Sequence, residues 1–485
     1  MKHFVITFLL CVFCISCSYR IESTNTPDTP SIKSNHIRSQ EDAIQILRCT
    51  LNDLYGNTTK SSDLKTIKSI EVITYEDLFI PKTKNTNTLD IDDQIAYLVN
   101  FENNEGYAIL GADNRMVPII SIVDTGYLDL GLFRLINDNI ATSNLPLNEL
   151  FCEEDGDYMV GMRGQTTGLS IVLAYLNYTI LDIRTDNEDP SGPGAIDTPS
   201  PEPPSISGPV DDIELDIKPI LKTKWGQYSP FNDKVTYVLD NDEKAPAGCT
   251  TIAALQILAH NQDVDLECFN LSTQYDWNDL ERSVYDKLTE EDDGYTARLD
   301  SLYRIGALSR IEELQIELKY TKLRNLSDCI STITKDMMDR IGVSYDYLGS
   351  GGTFATPQRV LECLRDLGYN QIHKCNGYSL TQIKNMLYDH KPVFIAALGL
   401  GGGHAWVIDG IKTRTIQDEN SETESREQVL LHCNWGWDGS SNGYYESKIF
   451  DTIDGTVEYD EYSANASQLS LLENEYSFWF RILTY

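Results

Sequence analysis

One stretch of the chain cannot belong to a folded core, and it divides the rest. Residues 184–212 read RTDNEDPSGPGAIDTPSPEPPSISGPVDD, rich in Pro, Ser, Gly and acid and nearly empty of apolar side chains. That composition cannot offset the entropy of ordering, so the segment reads as an exposed linker. Exposed linkers are also where proteases cut. Two bodies remain that are able to fold, about 38–183 and 213–485, in keeping with the two or three domains expected of 485 residues.

The first seventeen residues read as an address. Lys2 and His3 precede an apolar run from Phe4 to Ile15, broken only by Thr7 and closed by Ser16–Cys17. The run is too short to span a bilayer and fits a signal-peptide core. A small residue directly before cysteine resembles a bacterial lipoprotein cleavage site, which would make Cys17 the lipidated first residue. Cys14 stands where that signal usually has leucine, and an ordinary cleaved signal peptide is the alternative. Polar residues 18–37, with Pro27 and Pro30, then form a flexible tether. The expected location is outside the cytoplasm, as an outer-membrane or cell-surface lipoprotein, with release after processing as the variant. Membrane contact is expected only through the lipid anchor.

A formal charge of −35 excludes a nucleic-acid partner, because no Lys/Arg run is present to neutralise a phosphate backbone. Three of the eleven cysteines lie in the signal. The other eight are scattered, without a CxxC pair or a Cys/His cluster, so neither structural zinc nor any other cofactor is expected. Most of these cysteines should be buried small hydrophobes.

In the leading body, Ser39-Gln40-Glu41-Asp42 opens an apolar pattern at Ala43, Ile44, Ile46, Leu47, Leu51 and Leu54. The spacing predicts a helix with Ser39 as N-cap, stopped by Gly56–Asn57. Strands are expected over 70–74, 96–101, 107–110 and 117–123, with Asn103-Asn104-Glu105-Gly106 as a hairpin turn. The result is a small α+β module.

The chemistry-bearing residues lie in 213–485. Pro246 and Gly248 make a turn before Cys249, and Ile252, Leu255, Ile257, Leu258 and Ala259 follow at helical spacing. Cys249 therefore sits at a helix N-terminus, where the partial positive charge favours thiolate. The alternative is a cysteine that merely packs a helix start. A thiolate nucleophile needs a base. His260 lies on the same helix, roughly 16 Å along it at 1.5 Å per residue, and cannot reach. His404 follows Gly401-Gly402-Gly403 and leads into a buried strand, Trp406 to Ile408. The glycines bring bare backbone up to the imidazole and leave room for a substrate chain. His432 is the rival base, but it lacks such open surroundings.

The remaining roles follow from the same chemistry. An asparagine carbonyl, that of Asn434, can accept the imidazole N–H, with Trp435 shielding that bond. Trp437 reads as a core aromatic. An oxyanion hole needs donors aimed at the scissile carbonyl. The backbone N–H of Cys249 is one, and Gln227, in a Gly/Pro-flanked loop, can supply another.

The set KWGQYSPFN around Gln227, APAGCTTIAALQILAHN around Cys249, YDWNDL at 275–280, GGGHAWVIDG around His404 and NWGWDGSSNGYY from Asn434 resembles the streptopain-type cysteine proteases of clan CA. The stretch AYLVNFENNEGYAILGADNRMVPIISIVDTGYLD at 96–129 is similar to that family's inhibitory propeptide. The resemblance implies an α+β, papain-like fold, with a helical part bearing the cysteine packed on an antiparallel sheet bearing the histidine. It implies Cys249 as nucleophile, His404 as general base, Gln227 as oxyanion donor, and Asn434 with Trp435 as the histidine-orienting pair. It further implies that Gly349-Ser350-Gly351-Gly352-Thr353-Phe354 lines a substrate pocket, with Thr353 and Gly403 touching the substrate backbone. Phe354 departs from the small-residue pattern. The expected organisation is signal 1–17, tether 18–37, inhibitory propeptide 38–183, linker 184–212 and catalytic domain 213–485. The expected partners are polypeptide substrates and the chain's own propeptide. Two other classes stay open: an inactive or inhibitory binding protein on the same fold, and a Cys/His amidase acting on cell-wall peptide.

Overall fold

The computed structural model describes residues 37–56, 65–74, 77, 94–113, 116–128, 130–131, 169, 172–173, 175–176, 214–239, 243–269, 271, 275–283, 310–345, 353–399, 402–417, 425–450 and 480–485. The signal with Cys17, the tether up to residue 36, Cys152, the linker 184–212 and Gly349–Gly352 lie outside the described residues.

The leading body forms as its pattern requires. Helix α1 runs Gln40–Tyr55, and Ser39 caps it: its hydroxyl accepts from the Asp42 N–H at 3.1 Å and donates to the Asp42 carboxylate at 2.6 Å. Ala43, Ile44, Leu47, Leu51 and Leu54 are buried on one stripe. Each large side chain so buried stabilises by about 1.5–3 kcal/mol. Strands β1 (Ile67–Thr74), β2 (Gln94–Phe101), β3 (Tyr107–Gly111) and β4 (Ile119–Val123) pair in sequence, all antiparallel. The turn between β2 and β3 has Asn103 and Asn104 at φ 56° and Gly106 at 99°, as its sequence predicts.

The first described strand after the linker is β5 (Asp216–Ile217). Helices α2 (Cys249–Asn261), α3 (Trp277–Ser283) and α4 (Arg310–Ile341) follow, then β6 (Ser344–Tyr345), β7 (Thr353–Phe354) and α5 (Pro357–Asp366). The chain ends in β8 (Lys374–Gly377), α6 (Leu380–Tyr388), β9 (Val393–Gly399), β10 (Gly402–Gln417), β11 (Ser425–Asn434), β12 (Gly443–Glu446) and β13 (Arg481–Thr484). A helix bearing the cysteine thus packs on an antiparallel sheet bearing the histidine, as expected of a papain-like fold.

Sequence reasoning did not foresee that both bodies share one sheet. Its order is β1-β2-β3-β4-β12-β11-β10-β9-β13-β8, with β5 added against β10. The junction is antiparallel, Tyr445 opposite Ser121, Tyr444 opposite Ile122 and Gly443 opposite Val123. One face carries α1 over the leading strands and α2, α4 and α5 over the catalytic ones, in two cores. The other face carries a single core that runs under both bodies. There Leu98, Ile109 and Ile120 of the leading strands join Trp406, Ile408 and Leu431, roofed by Ile383 and Leu387 of α6 and by Leu169, Val172, Leu173 and Leu176. Period-2 alternation predicts each strand's two faces, but not which strand edge will meet which.

Candidate active site

Helix α2 starts at Cys249 because Gly248, at φ 91°, turns the chain into it. A side chain at Gly248 would also collide with Thr353, since a Cβ there would lie 2.5 Å from Thr353 Oγ1. No side chain caps this helix, so its first N–H groups stay available. Those of Cys249 and Thr250, and that of Ala405 on β10, lie within hydrogen-bonding reach of the thiol and favour thiolate. Burial is the larger effect and pushes the thiol up from its ordinary value. The thiolate-favouring helix start expected from sequence is therefore present but outweighed in this state.

The Ala405 contact brings the residue after His404 against the nucleophile. His404 is buried, and its Nε2 lies 2.9 Å from the carbonyl oxygen of Trp435. A carbonyl only accepts, so Nε2 carries the proton and Nδ1 keeps the lone pair a base needs. Burial depresses the imidazole to about 4, with the Trp435 carbonyl opposing. A raised thiol and a depressed imidazole make an uncharged pair at neutral pH.

Gln227 is 4% exposed, and its Nε2 is buried without a hydrogen-bond partner. Its backbone is fixed close to the nucleophile, because its carbonyl accepts from the Ala247 N–H at 2.8 Å. A buried, unpartnered amide donor costs about 1–3 kcal/mol, and an oxyanion is the group that would satisfy it. A side chain at neighbouring Gly226 would displace the Asp438 carboxylate, since a Cβ there would fall 1.8 Å from it.

The expectation for Asn434 is corrected in detail. Its Nδ2 donates to the Thr223 carbonyl at 2.8 Å, and its Oδ1 accepts from Gln256 Nε2 at 3.4 Å and from the Gly436 N–H at 3.3 Å. The imidazole N–H goes to the carbonyl of the next residue, Trp435. Gln256, fully buried on α2, also accepts from Thr223 Oγ1 at 3.0 Å. Asn434, Gln256 and Thr223 thus tie the nucleophile helix, the Gln227 segment and the Trp435 carbonyl into one buried network. Gln256 was legible only as a polar residue in an otherwise apolar helix.

Trp437 lies in the core, as expected, and also touches the candidate base. It stacks on His404 with centroids 5.7 Å apart at 8°, while Trp406 and Trp435 each lie 6.1 Å from the ring. Aromatic faces stabilise a cation by up to about 2 kcal/mol where water is excluded, and the imidazole would become a cation if it acts as the base expected from the sequence. Trp437→Ala should therefore lower kcat about tenfold, with Trp437→Phe retaining most of it. Steady-state kinetics on a peptide substrate would show this, and equal kcat in Trp437→Ala would refute it.

Thr353 borders the cysteine through Gly248, and Gly403 sits beside His404, opposite Leu398 on β9. His260 lies at the exposed end of α2, its Nε2 3.3 Å from the His390 carbonyl. His432 is far from open: Asp409 and Asp124 flank it. None of the described cysteines forms a disulfide. Cys329, Cys363 and Cys433 are buried as expected, whereas Cys49 and Cys268 are exposed.

Residues 225–445 match the Peptidase C10 family. Streptopain of Streptococcus pyogenes is 24% identical over 259 residues, which is 50% of this chain and 56% of that protein. The thiol protease/hemagglutinin PrtT of Porphyromonas gingivalis is 24% identical over 250 residues, 49% of this chain and 25% of that protein. A fragment of Prevotella intermedia prointerpain A aligns at 15% identity with a TM-score of 0.40, covering 80% of this chain and 94% of the fragment. The chain spans about half the length of the streptopains it matches. The matched segment, which holds Gln227, Cys249, His404 and Asn434, is similar to the C10 peptidases and to streptopain over that length.

Proposed function

We infer that this chain, through its C10-family segment, is a cysteine endopeptidase made as a zymogen and exported, with Cys17 as lipid anchor. The observation that carries the reading is one convergence. A helix-start thiol meets the His404 strand, and the segment bearing a buried, unpartnered amide, Gln227 Nε2, is pinned two residues before that thiol.

Catalysis follows from these positions. Nδ1 of His404 takes the Cys249 proton, and the sulfur attacks the scissile carbonyl carbon. The oxyanion that forms is received by the Cys249 N–H and Gln227 Nε2. Its collapse breaks the C–N bond, and the imidazolium returns the proton to the leaving amine. A water molecule, deprotonated by His404, then attacks the thioester and frees the acid and the thiol. Thr353 and Gly403 flank the cleft and would hold the substrate backbone.

The uncharged Cys249–His404 pair suits a precursor. Burial favours the neutral form of both groups, and opening the cleft would return each toward its charged form. In the full-length chain, iodoacetamide alkylation of Cys249, followed by mass spectrometry of its peptide, should be slow at pH 6–8 and climb only above the ordinary thiol range, because burial raises this thiol. A processed form should instead give a fast plateau across pH 5–8 and digest casein but not cell-wall sacculi. A fast plateau in the full-length chain would show the ion pair already formed and rule out this form of latency. Digestion of sacculi instead of casein would favour the amidase.

A further inference from the structure

Every charged side-chain contact between the leading body and the catalytic body described below places the positive charge on the catalytic side. Helix α1 has no basic residue in its last turn, so its C-terminal carbonyls lack the usual cationic neighbour. Lys218 supplies one from the other body, its Nζ 2.7 Å from the Leu54 carbonyl and 3.4 Å from that of Asp53. The same ammonium also pairs with Asp216 at 3.0 Å. Arg414 donates to Thr50 Oγ1 at 2.7 Å and to the Asp53 carboxylate at 3.3 Å.

Between these contacts and the β4–β12 junction lies His432. Its Nδ1 is 2.6 Å from Asp409 Oδ1 on its own body, and its Nε2 is 3.1 Å from Asp124 Oδ2, at the end of β4. A neutral imidazole has one N–H and would turn a lone pair toward one carboxylate, so this geometry requires the doubly protonated ring. Asp124 is itself fixed, accepting from Tyr55 Oη at 2.8 Å, while its backbone N–H donates to the Asn442 carbonyl at 2.7 Å.

We propose that the β12 edge with Lys218, Arg414 and His432 is an electrostatic docking surface that keeps the leading module bound after the chain between the two bodies is cut, and that loosens as pH rises.

The groups around His432 are Asp409 from β10, Asp124 from β4, and Tyr444 from β12, whose ring is edge-on at 5.0 Å. Behind Asp124 stand Tyr55 of α1 and Lys65, whose Nζ is 2.8 Å from the Asp124 carbonyl. Burial opposes the charged ring, but the two carboxylates outweigh it and raise His432 to about 10. Burial likewise opposes the Asp124 charge and is outweighed by His432 and Lys65, so that carboxyl is lowered. When the module leaves, His432 keeps Asp409 but loses Asp124, and its pKa falls back toward the ordinary value near 6.5. The stabilisation from His432 is thus complete below the undocked pKa and is lost as pH rises through about 10. That from Asp124 is present above the ordinary carboxylate range and is lost below it. Docking is tightest above the ordinary carboxylate range and below the undocked His432 pKa, and it weakens from there toward about pH 10.

The test uses the full chain with Cys249→Ala, so that it cannot cut itself, and a site-specific protease sequence inserted between residues 200 and 201. After cutting, the two fragments should co-elute in size exclusion at pH 6. Their Kd, from sedimentation, should rise at least tenfold by pH 10 and also rise with salt. Asp124→Asn should weaken docking about tenfold at pH 6 and flatten the pH profile. Lys218→Gln, on the exposed rim, should weaken it a few-fold and reduce the salt dependence. Fragments that part at pH 6, a Kd unchanged at pH 10, or an Asp124→Asn protein with the parent Kd and pH profile would each overturn the proposal. The readout is association in an inactive chain, so it is independent of whether the chain is a peptidase or the module an inhibitor.

Discussion

Folded Cys249→Ala protein is expected to hydrolyse peptide bonds no faster than background, a loss on the order of 10⁶ in kcat by comparison with removal of other enzymatic nucleophiles. The size follows from the site: Cys249 opens α2 at the end of the turn through Gly248, and its thiol is reached by the Ala405 N–H beside His404. The fold should survive, because the sulfur makes no cross-link and alanine suits a helix start. His404→Ala should lose nearly as much, since the thiol, already held up by burial, then has no base. His260→Ala should keep full activity, its ring lying at the far, exposed end of α2. Circular dichroism confirms folding, and turnover of a peptide substrate reads the result. Substantial turnover by folded Cys249→Ala would sink the mechanism.

The second large effect is at Gln227. Gln227→Ala should lower kcat by about 10²–10³ with little change in KM, the typical cost of one oxyanion donor. Stability should hold or rise slightly, because the substitution removes a buried donor that has no partner. Asn434→Ala should behave differently. It strips partners from Gln256 and Thr223, so its main cost is stability, about 1–3 kcal/mol, with activity falling as the Trp435 carbonyl loses its support. Thermal melts and kinetics on the two variants separate these outcomes. A destabilised Gln227→Ala with normal kcat would mean that its amide is structural.

The residues proposed to act are ones whose chemistry needs particular neighbours close in sequence, which is why a sequence can point to them. Ser39 and its apolar stripe, the turn at Asn103–Gly106, the glycine before Cys249 and the glycines before His404 all write local geometry into local sequence. What escaped depends on contacts between distant segments. The imidazole partner is a backbone carbonyl, that of Trp435, which no side-chain identity encodes. Trp437 reads as core because an aromatic beside a catalytic ring and one beside a leucine have the same sequence signature. The thiol's direction of shift was misjudged since helix polarity is visible in a sequence, whereas the density of atoms packed around a sulfur is not. His432, the rival base, sits buried between the carboxylates of Asp409 and Asp124. Only the meeting of β4 with β12 brings Asp124 to it.

That meeting also bears on how the chain acquires its shape. Strands β1 to β4 pair with their neighbours in sequence, so their loop-closure entropy is modest and they can form early. They also leave the ribosome first. The pairing of β12 with β4 spans most of the polypeptide, and it should therefore follow the local pairing of β1 to β4. The leading module is then a template on which the catalytic strands are laid down, and not only a later attachment. A catalytic body made without it would have to nucleate its sheet with β12 as an open border, leaving a row of backbone groups at Tyr444 and Tyr445 to recruit other chains.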